Sequence, residues 1–140
     1  MENKRVSVAL FWLRVSVFLV MFIWTLDKFL NPAHALAVYQ KFYFISPQLD
    51  WFIYAVGALE MLIIFAFLLG VKRKYSYGLV LIIHGVSTLS AYKQYLDPFT
   101  GPNLLFFAAW PMLAACWVLF YLRDMDTCCT LSYFCCKKEN

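Results

Sequence analysis

Charged side chains are scarce in this sequence. Asp, Glu, Lys and Arg make up 14% of its 140 residues, whereas a soluble domain carries about 25%. Hydrophobic residues make up 64%, and the mean hydropathy is +0.69. This composition excludes an ordinary soluble domain, and it also excludes an intrinsically disordered chain, which needs low hydrophobicity. The net charge of +4 is divided among short runs between apolar stretches, which argues against nucleic-acid binding.

The short motifs of soluble enzymes are also missing. The sequence contains no glycine-rich phosphate loop, no nucleophile elbow and no HExxH pair. It also lacks a CxxC pair, the motif of many thiol oxidoreductases. These absences disfavour catalysis of the soluble type.

Four apolar stretches are long enough to cross a bilayer, which needs about 20 helical residues. They cover residues 6–26, 51–69, 76–92 and 103–122. The third is the shortest and the most polar, but it lies between a basic turn at residues 72–74 and a loop at residues 93–102. We therefore predict an all-α integral membrane protein, a bundle of four transmembrane helices. The membrane domain is expected to cover residues 1–122 and a cytoplasmic cysteine-rich tail residues 123–140.

Basic residues predict the orientation of these spans, because Lys and Arg resist translocation across the membrane. Three lysines fall on one side of the predicted bundle, namely Lys28, Lys41 and Lys93. Eight basic residues fall on the other side: Lys4, Arg5, Lys72, Arg73, Lys74, Arg123, Lys137 and Lys138. The side with eight should be cytoplasmic, so we expect both termini of this multi-pass protein in the cytoplasm.

The connection between the first two spans, residues 31–50, is long and rich in aromatic residues. Proline is suited to the first position of a helix, and aromatic side chains prefer the level of the lipid headgroups. We therefore predict a short interfacial helix that begins at Pro32 and ends near Ser46 and Pro47. An aromatic anchor belt with no further role is the alternative.

Three ionisable side chains lie inside the predicted spans: Arg14, Glu60 and His84. A charge in hydrocarbon costs at least about 2.5 kcal/mol, so such residues normally face protein and mark functional sites. We predict that Arg14 pairs with Glu60, near the midplane, and that His84 forms a hydrogen bond nearby. Two interpretations stay open: a structural ion pair that fixes helix packing, and a proton-responsive or ligand-binding centre.

Polar residues of the first span share one helix face. Ser7, Arg14, Thr25 and Lys28 fall within about 60° of one another at 100° per residue. We expect this stripe to face protein rather than lipid. Lys28 is included in the polar centre because it continues the stripe to the end of the span opposite the amino terminus.

Four of the five cysteines form two adjacent pairs in the tail, Cys128 with Cys129 and Cys135 with Cys136. Four thiolates could bind a soft metal ion such as Zn²⁺ or Cu(I). However, adjacent pairs depart from the usual Cys-x₂-Cys spacing of structural zinc. Acylation of membrane-proximal cysteines and inert interfacial thiols are the alternatives.

A set of short segments completes the sequence pattern. The first span contains Arg14 and ends in WTLDKFLNP at residues 24–32. The second contains GALE at residues 57–60, and LG at residues 69–70 precedes the basic turn. With four predicted spans and a polar third span, these segments resemble the DoxX-like membrane proteins, which include the MauE branch. The resemblance covers residues 7–122 and leaves out the cysteine tail.

The resemblance implies a four-helix protein of the bacterial inner membrane that is a subunit or accessory of a membrane redox system. Such systems handle thiols, sulfur compounds or quinones, so a quinone is a candidate cofactor and protein partners or a homo-oligomer are expected. Arg14, Lys28, Glu60 and His84 are carried over as the polar centre, with no catalytic residue assigned. A small proton-coupled transporter or channel and a structural assembly factor remain the alternatives.

Overall fold

Helices account for the regular structure of this chain. The computed structural model describes residues 2–44 and 50–131, and it contains no strand within them. The six α-helices in this part of the chain are α1 (Glu2–Leu30), α2 (Pro32–Val38), α3 (Asp50–Leu68), α4 (Arg73–Ser90), α5 (Tyr92–Leu96) and α6 (Ala109–Tyr121). A π-helical turn, Tyr39–Tyr43, follows α2, and a 3₁₀-helix, Asn103–Ala108, precedes α6. The prediction of an all-α fold is confirmed for the described residues.

Within the described part of the chain, three helical segments are long and apolar enough to cross a membrane: Lys4–Leu30, Trp51–Leu68 and Asn103–Tyr121. They coincide with the first, second and fourth predicted spans. The third predicted span forms α4, which has 18 residues. It is not among the three apolar segments, because serine, threonine, histidine and basic residues dilute its hydrophobic residues.

Local sequence determines where several helices begin and end. Pro32 occupies the first turn of α2, where its missing amide hydrogen costs nothing. The helical connection that starts at Pro32 continues through the π-helical turn and ends at Phe44, whose φ is 56°. The predicted end near Ser46 and Pro47 lies outside the described residues.

The helices pack as antiparallel neighbours in chain order. Helix α1 lies against α3, where Phe18 and Phe22 both contact the ring of Phe65. Helix α4 lies against α3 and α6, with the ring of Phe67 against that of Tyr77. The buried core residues are Leu10, Val17, Met21, Ile64, Phe67, Tyr77, Val80, Cys116 and Leu119. Many large apolar side chains on the outer faces remain exposed, as expected where lipid replaces water around a bundle.

One end of the bundle is closed by residues 126–131, which we call the C-terminal clasp. The amide of Leu131 donates to the carbonyl oxygen of Leu69 (2.9 Å), and the amides of Thr127 and Cys128 donate to the hydroxyl of Ser7 (3.1 and 2.9 Å). The clasp therefore joins the chain beyond α6 to the first half of α1 and to the α3–α4 turn. The first residues of the predicted tail thus pack on the helices, while residues 132–140 lie outside the described part.

Glycine is required where the clasp meets the α3–α4 turn. Gly70 has a φ of +64°, and a Cβ placed there would lie 2.6 Å from Cγ2 of Thr130. A side chain at this position would meet both an unfavourable backbone conformation and a steric clash. The glycine of the LG pair before the basic turn thus allows the clasp to pack against this turn.

Candidate functional site: two charged clusters

The first charged cluster surrounds Arg14, which is fully buried. Its Nη1 donates to the hydroxyl of Tyr77 (2.9 Å) and to Oδ2 of Asp126 (3.0 Å). Its Nη2 donates to the carbonyl oxygens of Cys128 (2.8 Å) and Cys129 (3.4 Å). We call this group the Arg14 cluster, and it contains residues of α1, α4 and the clasp.

Charge is neutralised inside the Arg14 cluster. Asp126 is also fully buried, and its Oδ2 accepts a second hydrogen bond from the Tyr77 hydroxyl (2.7 Å). Arg73 fixes the backbone around it, because its Nη1 donates to the carbonyl oxygens of Asp126 (2.6 Å) and Arg123 (2.8 Å). A buried ion pair with this many hydrogen bonds fixes the position of the clasp on α1. Removal of one partner would leave the other charge buried without a counter-charge.

The second charged cluster is the ion pair between Lys28 of α1 and Glu60 of α3. Lys28 Nζ donates to Glu60 Oε2 at 2.8 Å, and the Thr25 hydroxyl lies 3.3 Å from the same oxygen. Both charged residues belong to segments that are apolar and long enough to span a membrane. Their side chains are 12% and 16% exposed, so the pair is not completely buried.

A narrow cleft borders Lys28, one member of the Lys28–Glu60 pair. It has a volume of about 30 Å³ and is lined by Trp24, Asp27, Lys28, Ala35, Val38 and Tyr39. A space of this size accommodates a water molecule, whereas small-molecule pockets occupy about 300–1,000 Å³. A quinone ring therefore does not fit this cleft. Burial and the nearby charge of Glu60 raise the pKa of Tyr39, so its phenol stays protonated beside the pair.

The mouth of this cleft carries a separate polar contact. Asp27 accepts a hydrogen bond from the side chain of Asn31 (3.0 Å) and contacts the imidazole of His34, whose side chain is 56% exposed. These residues connect the rim of the cleft to the surface. Lys28 points away from them, toward Glu60.

His84 belongs to neither cluster. Its Nε2 lies 3.1 Å from the carbonyl oxygen of Ala109, at the start of α6, and its own carbonyl oxygen accepts a hydrogen bond from Thr88. Thus His84 joins α4 to the junction between the 3₁₀-helix and α6. The Nε2 contact is therefore part of the packing of α4 against α6.

The predicted pair of Arg14 with Glu60, and the network that includes His84, are wrong. The antiparallel register of α1 and α3 places Glu60 beside Thr25 and Lys28, which are 11 and 14 residues beyond Arg14. That separation is about 17–21 Å along a helix. Arg14 instead meets a carboxylate from the clasp. The prediction that the α1 stripe faces protein is confirmed, since Ser7, Arg14 and Thr25 are all buried.

Sequence reasoning missed Asp126, the partner of Arg14. The only signal for it was a carboxylate a few residues beyond the last apolar stretch, in the predicted cysteine-rich tail. A buried arginine in the first span needs such a partner, but the spacing of 112 residues does not identify which acid supplies it.

Two of the four tail cysteines lie within the described residues. Cys128 is half-buried and Cys129 is exposed, with their Sγ atoms 3.8 Å apart. Burial, together with the contact to Cys129, raises the pKa of the Cys128 thiol. Residues 2–44 and 50–131 contain no group of three or more His, Cys, Asp and Glu side chains that could hold a metal ion. Cys135 and Cys136 lie outside these ranges, so the predicted four-cysteine site stays a prediction.

Comparison with protein-family models, with curated proteins and with solved structures finds no match to this chain. Its class is therefore defined by its own features. Residues 2–44 and 50–131 are all-helical in their regular structure, and they contain three helical segments able to span a membrane and two separate charged clusters.

Proposed function

We propose that the protein is a DoxX-like, multi-pass protein of the bacterial inner membrane that acts as an accessory subunit of a membrane redox system. The observation that carries this proposal is the Lys28–Glu60 ion pair, which lies between two apolar helices and is partly exposed. Ionisable residues at such positions are functional by default.

The proposal includes four spans, with α4 as the third. Helix α4 follows α3 after a short turn, packs between α3 and α6, and is about 27 Å long at 1.5 Å per residue. Its Ser76, His84 and Thr88 side chains all contact backbone oxygens. This internal pairing reduces the cost of placing a polar helix in lipid.

The same proposal places the clasp end in the cytoplasm. The basic α3–α4 turn, the first half of α1 and the chain beyond α6 meet there, and the cytoplasmic side is the one that retains Lys and Arg. Helix α2 and the π-helical turn would then lie at the opposite membrane surface. Their aromatic contacts, such as Tyr39 with Phe52 and Phe42 with Phe106, suit an interfacial segment.

The geometry of the Lys28–Glu60 pair suits contact with a partner. The pair is neutral as a whole, which lowers its cost in the membrane, and each side chain keeps an exposed fraction for a further hydrogen bond. Because the cleft beside Lys28 is too small for a quinone ring, we assign the Lys28–Glu60 pair to contact with the partner protein rather than to quinone binding in the cleft.

Purification from native membranes in mild detergent tests this role. We expect a redox protein to copurify in near-stoichiometric amount with the wild type and with Asp97→Asn, a charge-matched control at an exposed position. Glu60→Gln should lose that partner, and the isolated variant should have the elution volume and helical circular dichroism of the wild type freed of its partner. Purification without any redox protein, or equal recovery with Glu60→Gln, would contradict the proposal.

A proton-coupled transporter is the second candidate, and one observation favours it. The cleft has room for water and is lined by both Lys28 and Asp27, and Asp27 contacts the exposed His34. Liposomes loaded with a pH-sensitive dye separate the two functions. Proton flux that disappears with Glu60→Gln would support transport, whereas the accessory role predicts no flux above empty liposomes.

A further inference from the structure

The adjacent thiols of the clasp have a spacing that suits a metal ion. The Sγ atoms of Cys128 and Cys129 are 3.8 Å apart. In a tetrahedral zinc site each sulfur lies about 2.3 Å from the metal, so two sulfurs are about 3.8 Å apart. A zinc ion could thus contact both thiolates without a change in their separation.

We propose that Cys128 and Cys129 form a zinc-binding dithiolate on the C-terminal clasp, independently of the second cysteine pair. The exposed Cys129 gives the ion access from solvent, and solvent oxygens take the remaining coordination positions. This site is separate from the Lys28–Glu60 pair and does not depend on the function proposed for it.

Contacts with α1 hold the two cysteines in place. The Cys128 amide donates to the Ser7 hydroxyl (2.9 Å), and Arg14 Nη2 donates to the carbonyl oxygens of both cysteines. Cys129 itself has a φ of +52°, which these contacts stabilise. Because the backbone on both sides of the thiols is fixed, the sulfur spacing is preset by the fold rather than by the metal.

The charges around the site also balance when zinc is bound. Zinc binding displaces one proton from each thiol, and the two thiolates together neutralise the ion. The adjacent Arg14 and Asp126 neutralise each other. The loaded site therefore adds no net charge to a half-buried position, and its affinity should fall as the pH is lowered.

Cobalt and zinc titrations of the reduced full-length protein in detergent test this site. We expect one equivalent of Co²⁺ to produce a thiolate-to-cobalt charge-transfer band, which Zn²⁺ then removes. The double variant Cys128→Ser with Cys129→Ser should lose the band. The matched double variant Cys135→Ser with Cys136→Ser should keep it. Persistence of the band in the first variant, or its loss in the second, would overturn the proposal.

A second pair of variants tests the role of α1 in presetting the site. Ser7→Ala removes the acceptor of the Cys128 amide, and we expect about a tenfold loss of zinc affinity, as for other residues that orient metal ligands. Ser16→Ala, an exposed position on the same helix, should leave the affinity unchanged. Equal affinities of these two variants would show that the clasp does not preset the sulfur spacing.

Discussion

The Arg14 cluster and the Lys28–Glu60 pair use the same chemistry in different surroundings. Both match a cation of α1 with a carboxylate, but the first pair is completely buried, whereas the second is 12% and 16% exposed. Arg14 also donates to two backbone oxygens of the clasp, while the described hydrogen bond of the Lys28 ammonium is to Glu60 of the adjacent helix. One face of α1 therefore supplies a fully buried, structural ion pair at one end and a partly exposed ion pair toward the other.

This difference in exposure distinguishes a structural ion pair from a candidate functional one within the same polar stripe. A charge that neither solvent nor a ligand can reach acts only on the stability of the fold. A charge pair with an exposed side can gain or exchange a partner. We infer that variants of the Arg14 cluster act first on stability, and that variants of the Lys28–Glu60 pair act first on partner binding.

The largest effect is expected from Asp126→Asn. It leaves the buried Arg14 cation without its carboxylate, which should lower the free energy of unfolding by about 3–5 kcal/mol. Chemical denaturation in detergent, followed by circular dichroism, measures this change. Asp124→Asn, two residues earlier and exposed, is the control and should be neutral. Equal stability of the two variants would contradict the structural role of the buried Arg14–Asp126 pair.

Glu60→Gln should have a smaller effect on stability. Partial exposure lets water solvate Lys28 when its partner is lost, so we expect about 1.5–3 kcal/mol, the contribution of a charged hydrogen bond. The same denaturation experiment measures it. A loss larger than that of Asp126→Asn would reverse the comparison between the two clusters.

Gly70→Ala should weaken the contact between clasp and turn. Gly101 has a similar positive φ of +56° but nothing within 4 Å of its missing Cβ, so Gly101→Ala isolates the backbone cost. We expect Gly70→Ala to destabilise the protein by about 1–3 kcal/mol more than this control, because the added carbon overlaps Thr130. Comparison of the two unfolding midpoints provides the test, and equal midpoints would contradict the clasp geometry.

The smallest effect concerns the reactivity of Cys128. Burial raises its pKa above that of an ordinary thiol, and only the thiolate reacts with iodoacetamide. Alkylation should therefore be slow at pH 7 and increase about tenfold per pH unit until the pH reaches this raised value. Mass spectrometry that resolves Cys128 from Cys129 follows the rate. A plateau below pH 8.5, the ordinary thiol value, would contradict the raised pKa.

Local sequence features predicted much of the fold. Apolar runs located α1, α3 and the segment Asn103–Tyr121, and Pro32 marked the start of α2. The spacing of polar residues identified which face of α1 is buried. These features depend on neighbours a few residues apart, so helix periodicity was sufficient to find them.

The pairing of charges depended on contacts that periodicity does not encode. The partner of Glu60 follows from the register between α1 and α3, which the long connection at residues 31–50 leaves open. The partner of Arg14 follows from the path of the chain after α6, which turns back onto the bundle. Both pairings join residues that are far apart in sequence, and the partner of Arg14 lies outside the apolar stretches.

A double-mutant cycle tests the separation of the two clusters most directly. It compares the coupling of Arg14→Met with Asp126→Leu and the coupling of Arg14→Met with Glu60→Gln, both from free energies of unfolding. We expect a coupling of about 2–3 kcal/mol for Arg14 with Asp126 and less than about 0.5 kcal/mol for Arg14 with Glu60. A coupling between Arg14 and Glu60 as large as that between Arg14 and Asp126 would contradict this separation.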